Sequence, residues 1–223
     1  MTNIEFIDML KTAVDCKTLY VYGCFGAPMN EKNKKRYSTN RTYNKQKDRQ
    51  AKILSSTDDT FGFDCVCLIK GVLWGWCADK TEVYGGALYD SNGVPDTTID
   101  TLFNKYCTNQ SKDFSKIEIG EMLYMDGHCG VYIGDGYAIE SAPIWEDGVQ
   151  ITEVWNIKKT NSKGRKWISH GKLNAVDYIE KPIVKKELSV ILNQNITDDE
   201  ISAIDNSLNS IGFNVKFLSE RGR

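Results

Sequence analysis

At 223 residues, with 41% hydrophobic and 26% charged side chains, the chain has the apolar content for one globular domain, or one domain with a small appendage. A net charge of -2 argues against a polyanionic partner for the chain as a whole, and no apolar run is long enough to cross a bilayer, so neither nucleic acid nor membrane is expected as a partner. The start, Met1 to Leu10, is acidic and amphipathic, with no basic stretch before an apolar core, and is not read as a secretory signal. Seven cysteines, an odd number without such a signal, read as reduced thiols made in a cytosol, not as a disulfide framework.

In chain order, residues 3–14 read as a helix with Ile4, Ile7, Leu10 and Val14 on one face and Thr2 or Asn3 as the cap. Residues 18–28 form a short aromatic segment closed by Gly26 and Pro28. From Glu31 to Lys52 the composition turns basic, with Tyr37 and Tyr43 interleaved; a solvated loop or exposed helix is the plain reading, and a docking patch the functional one. Residues 61–77 are too densely apolar for a half-buried strand and suit a buried helix starting near Asp64 or Cys65, with Gly71 and Gly75 as sites of close packing. Residues 79–98 look like loop, and Thr97 or Thr98 opens a helix through Tyr106. Residues 117–143 are strand-rich, 149–155 alternate as a further strand, 161–165 read as a turn or loop, and one or two strands fall within 167–178. Helices first and antiparallel strands after them predict an α+β domain over 1–180. A linker is expected at 181–187. A small β-α-β unit of unknown role follows at 188–223, its helix opened by the capping box of Thr197 and Glu200, and it offers a route to an oligomer.

The stretch from His128 to Glu140 reads as a β-hairpin turning at Gly134-Asp135-Gly136. That register makes His128 and Glu140 diagonal neighbours on one face, a base beside a fixed acceptor. Cys65 is the best nucleophile for that base. At a helix start, free N–H groups and the helix dipole stabilise a thiolate. Cys67 would point to a different face, and Cys77 lies toward the wrong end of the dipole. A buried cysteine with a satisfied histidine is the commoner outcome for such residues. Zinc binding by Cys65, Cys67, Cys129 and His128 would need spacings that the chain lacks, so neither metal nor cofactor is expected. His170, in the polar run Ser169-His170-Gly171, reads as a surface histidine and the one alternative base.

These residues resemble the NlpC/P60 family of cysteine peptidases, papain-like α+β enzymes that cut peptide stems of bacterial cell walls. Tyr20-Val21-Tyr22-Gly23 resembles the family's tyrosine segment, Phe63-Asp64-Cys65 its nucleophile motif and Gly120 to Tyr124 its following strand. His128-Cys129-Gly130-Val131-Tyr132-Ile133-Gly134 matches the histidine motif closely, and Glu140 stands where the third catalytic residue belongs. The likeness spans about Thr18 to Pro143. Three departures stand out: Val66-Cys67 in place of Ser-Gly, a charged Glu140 in place of a neutral third residue, and the basic insertion at 31–60 where the family has a short loop.

The resemblance implies amide hydrolysis through a thioester, with Cys65 attacking, His128 as acid and base, and Glu140 orienting the ring. Oxyanion contacts would come from the Cys65 N–H and the Tyr20 hydroxyl, although a packed core tyrosine is an equal reading of Tyr20. The implied partner is a peptidoglycan stem peptide. Lys34, Lys35, Arg36, Arg41 and Tyr43 are candidates for docking onto anionic wall polymers. A wall enzyme without a signal peptide implies a phage or prophage endolysin, made in the bacterial cytoplasm and acting at the wall after release. The rivals are a CHAP-type amidase and a non-catalytic wall-binding or particle-associated module.

Overall fold

The computed structural model describes residues 1–179, 186–192, 197–210 and 213–219. They fall in two units, Met1–Ile179 and Glu180–Arg223.

In the first unit, α1 (Asn3–Asp15) begins at a capping box in which Thr2 and Glu5 satisfy each other's backbone N–H groups. It buries Phe6, Ile7, Leu10 and Ala13. Strands β1 (Thr18–Tyr20) and β2 (Phe25–Pro28) flank β3 (Phe61–Phe63) in a small sheet of order β1-β3-β2, with β1 parallel and β2 antiparallel to β3. Between β2 and β3 the basic segment folds as two helices, α2 (Glu31–Thr39) and α3 (Lys47–Ser55). They bury Tyr37 and Ile53 against Val21, Ala27 and Met29. Arg49 pins the segment inward: it is buried, and its Nη1 donates to the Tyr20 carbonyl at 3.0 Å and to Asp147 at 2.6 Å.

Helix α4 (Cys65–Leu73) follows β3 directly, and all nine of its residues are buried. Asp64 caps it, accepting from the Cys67 N–H at 2.7 Å, a contact that typically stabilises a helix by ~1 kcal/mol. The two expected close-packing glycines differ. A Cβ on Gly71 would lie 2.7 Å from the Phe25 carbonyl oxygen, so β2 packs on bare backbone there. Gly75 meets nothing within 4 Å; at φ +91 it lies just past the helix end, where glycine accepts the left-handed turn. Cys77 lies beyond the helix and is exposed.

After the loop comes α5 (Ile99–Tyr106), capped by Thr98. Strands β4 (Cys107–Ser111), β5 (Met122–Met125), β6 (His128–Gly134), β7 (Tyr137–Ala142), β8 (Gly148–Val154), β9 (Gly164–Arg165) and β10 (Ser169–Leu173) form one sheet of order β4-β10-β5-β6-β7-β8-β9. Its pairings are antiparallel except for β8 with β9. The main core lies between the helices and this sheet, where Phe6, Leu10, Ile69 and Val72 meet Val131 and Ile139. The architecture is therefore mixed α+β.

Two expectations are corrected. Residues 161–165 are not all loop, because Gly164–Arg165 pairs with β8. His170 is not a surface residue: it is 2% exposed within β10, its Nδ1 bonded to the buried Glu121 and its Nε2 to the Asp113 carbonyl at 3.1 Å. Strand β4, which pairs with β10, had no alternating apolar signal, since Thr108, Asn109 and Gln110 face solvent.

In the second unit, β11 (Lys186–Leu192) and β12 (Phe213–Ser219) pair in parallel, with α6 (Asp198–Ser210) between them in sequence, a β-α-β unit. Most of the expected linker, residues 181–185, lies outside the described residues.

Candidate active site

The hairpin β6–β7 turns at Asp135 and Gly136, both at positive φ (53 and 77), which suits a tight two-residue connection. A bulge between Tyr132 and Gly134, with Ile133 as the extra residue, sets the register so that Val131 faces Ile139. Gly130 then lies opposite Glu140, and His128 is its diagonal neighbour on the same face. The two side chains meet: His128 Nε2 is 2.5 Å from Glu140 Oε2. Trp167 stacks on the imidazole, its ring 5.6 Å away and tilted by 16°, which fixes the ring plane.

Glu140 is fully buried and takes three donors. Besides His128 it accepts from the Thr152 hydroxyl at 2.6 Å and from Arg165 Nε at 2.7 Å. Burial favours the neutral acid, but the His128 hydrogen bond and charge, the Arg165 charge and the Thr152 hydrogen bond outweigh it and hold the carboxyl below its usual range. Thr152 is legible from the alternation of β8: it faces Ala138, two residues from Glu140 on the same face of β7. Arg165 is not, because it arrives on a two-residue strand from a segment of turn-forming residues.

Cys65 is the first residue of α4 and only 6% exposed. One contact ties the helix start to the hairpin and another ties it to the loop after β1. The Ser141 hydroxyl on β7 donates to the Phe63 carbonyl at 3.0 Å, and the Asp64 carboxylate also accepts from the Gly23 N–H at 2.7 Å. The Cys65 thiol is held well below its ordinary pKa, first by a hydrogen bond with the Cys129 thiol and then, against the cost of burial, by the hydrogen bond and charge of His128 and the Val66 N–H. Burial works against charge on His128 as well, but hydrogen bonds to Cys65 and Glu140, together with their charges, raise its pKa to about 9. With Nε2 engaged by Glu140, Nδ1 is the nitrogen left for Cys65. Both directions, a lowered thiol pKa and a raised imidazole pKa, favour a thiolate–imidazolium pair backed by a carboxylate. Cys129, expected only as part of a zinc reading, is a thiol donor to the nucleophile; burial, and then Cys65, push its own pKa well up. Cys67 is also pushed well up, mainly by burial and then by Asp64, and stays a neutral thiol.

Cys65 opens into a cavity of about 690 Å³. Tyr20 lines it too; burial, followed by the charges of Cys65 and Asp64, raises its phenol pKa strongly, so the hydroxyl remains a donor. Its ring packs edge-on against Tyr43, 5.8 Å away. The basic candidates separate. Arg36 and Arg41 line the cavity, whereas Lys34 pairs with Asp58 at 2.7 Å, Lys35 is exposed and Tyr43 packs between Tyr20 and Tyr22. Among the described residues no group of acidic, cysteine and histidine side chains forms a metal site.

A scan against models of protein families and a search of curated proteins each find no match to this chain.

Proposed function

We propose that the chain is a thiol-dependent amide hydrolase. The single observation that carries this reading is the arrangement of Cys65 at a helix N-terminus, opening into a cavity, with His128 held by the buried Glu140 carboxylate. Cys65 Sγ attacks the amide carbonyl carbon, and the tetrahedral oxyanion is met by the Cys65 N–H and the Tyr20 hydroxyl. Collapse breaks the C–N bond while His128 delivers its proton to the leaving amine, leaving a thioester. The now neutral His128 takes a proton from water as it attacks the thioester; the acid product leaves and the thiolate–imidazolium pair is restored. Glu140 keeps the ring in one orientation and stabilises its charged form.

Within that class we read the protein as a papain-like NlpC/P60 peptidase acting on peptidoglycan stem peptides, in the manner of a phage endolysin. Support comes from the order Tyr20, Asp64-Cys65, His128 and Glu140 along the chain, from Tyr20, Asp64 and Cys65 lining one cavity, and from the contact of His128 with Glu140. Digestion of purified walls and defined muropeptides, with fragments read by mass spectrometry, tests the reading and separates stem-peptide endopeptidase from muramoyl-alanine amidase. Wall lysis undiminished in Cys65→Ala would contradict it. Wall binding by the wild type with no bond cut would favour a non-catalytic module.

A further inference from the structure

Building on the amide-hydrolysis reading, we infer that Arg36 and Arg41 form a carboxylate-binding subsite in the cavity at Cys65, so that the preferred substrate carries a free carboxylate close to the scissile amide.

Four observations converge on it. First, of the basic side chains in the inserted segment, only these two line the cavity. Second, Arg41 has φ 61, a left-handed conformation that residues other than glycine seldom adopt and that tends to be kept where it serves a site. The turn after α2 holds it there: Asn40 ends the helix, and the Arg41 carbonyl accepts from the Lys45 N–H at 3.3 Å. This places the side chain over Gly23, where an added Cβ would lie 3.4 Å from Arg41 Nε. Gly23 in turn donates to Asp64, the cap of the helix that begins at Cys65. Third, Arg36 is positioned without being neutralised. Its Nη1 donates to the Tyr84 hydroxyl at 2.7 Å and its guanidinium lies over the Tyr37 and Tyr84 rings at 5.4 and 5.5 Å, so an uncharged phenol takes one of five donors.

Fourth, the acids of the cavity are already satisfied. Asp96 is bound by Lys70 at 2.5 Å and by the Tyr89 hydroxyl at 2.7 Å, Asp64 by two backbone N–H groups, and Asp100 by the Tyr124 hydroxyl at 2.8 Å. Among the described residues the arginines in ion pairs are Arg49 and Arg165. Among the described residues neither guanidinium has a carboxylate within ion-pair distance, although the Arg41 charge helps to lower the pKa of Asp96. A guanidinium fork matches the plane and spacing of a carboxylate, and a concave site beside the nucleophile suits a short peptide better than an extended anionic polymer.

The test uses matched short peptides that differ only in whether the carboxylate flanking the scissile amide is free or a carboxamide. For the full-length wild type, kcat/KM should favour the free carboxylate by roughly tenfold to a hundredfold, as expected for a charge-assisted bidentate contact. Arg41→Gly, a residue that accepts the left-handed backbone, should shrink that preference to within about threefold, with Arg41→Lys in between. Thermal unfolding checks that both variants fold; should Arg41→Gly fail to fold, Arg36→Gln takes its place in the same comparison. Equal cutting of both peptides by the wild type would overturn the subsite while leaving amide hydrolysis in place, as would a preference undiminished in the variants. Cutting of neither peptide would instead overturn the hydrolysis reading. Calorimetric binding of the same pair to Cys65→Ala would then decide the subsite alone: tighter binding of the carboxylate supports it, and equal binding overturns it.

Discussion

Glu140 carries a negative charge at 0% exposure, a costly placement unless every lone pair is used and the charge is matched. Here His128, Arg165 and Thr152 do both. A neutral residue at this position would orient the imidazole; the carboxylate also raises its pKa. Glu140→Gln should therefore lower the pKa of His128 from about 9 and shift the alkaline limb of the kcat/KM profile to lower pH. We expect a loss of about a hundredfold near neutrality, the usual scale for disabling a positioned acid–base group. A full pH profile of the variant checks this, with thermal unfolding as a control because Arg165 loses its partner. Cys129 offers a second test. Its thiol is the largest influence lowering the pKa of Cys65, so Cys129→Ala should move the pH dependence of Cys65 alkylation by iodoacetamide to higher pH, and Cys129→Ser should restore part of the shift. Cys65, His128 and Glu140 were legible one by one as candidates from their local motifs. Arg165 and Cys129 were not, because the first depends on a long-range strand pairing and the second on a helix start meeting a strand start, and no local pattern encodes either.

At the scale of elements, α4 sets the nucleophile and the hairpin sets the base, and backbone contacts join them. Packing of α4 on β2 depends on Gly71, where an added Cβ would lie 2.7 Å from a main-chain oxygen that cannot yield by rotating. Gly71→Ala should destabilise the protein by roughly 1–3 kcal/mol through overpacking, measurable by denaturant titration, and should lower activity because the helix carrying Cys65 must shift. Elements with strong periodic or capping signals, such as α1, α4, α5 and the hairpin, are where the sequence places them. Strand β4 and the short β9 carry no such signal, since their place is set by the partner strand. The inserted segment was legible as basic and not as two helices: with few apolar residues, its anchors are Tyr37, Ile53 and the buried Arg49, whose partners lie outside it, Val21, Ala27 and Met29 for the first two and Tyr20 and Asp147 for Arg49.

For the whole molecule, the thiolate–imidazolium pair has a consequence for proton counting. An unfolded chain at mildly alkaline pH keeps a proton on the thiol, whose ordinary pKa is 9.0, and the folded chain keeps one on His128 instead. A lowered thiol pKa contributes stability that grows as pH rises toward 9.0; a raised imidazole pKa contributes stability present below 6.5 and lost as pH rises through about 9. The two slopes oppose each other, so the pair adds little pH dependence between about pH 7 and 8.5. In Cys65→Ala the thiol slope is gone and the imidazole slope remains in reduced form, because His128 loses the hydrogen bond and charge of Cys65 and keeps those of Glu140. Relative to wild type, the variant's Tm should therefore decline as pH rises across that window. Equal slopes in the two proteins would argue that Glu140 alone does not hold the His128 pKa above its ordinary value.

The most direct measurement is digestion of defined muropeptides by the full-length protein and by Cys65→Ser, with products identified by mass spectrometry. The account predicts cleavage at one type of amide bond by the wild type and none above background by the variant. Equal cleavage by the two proteins, or no amide cleavage by the wild type, would contradict it.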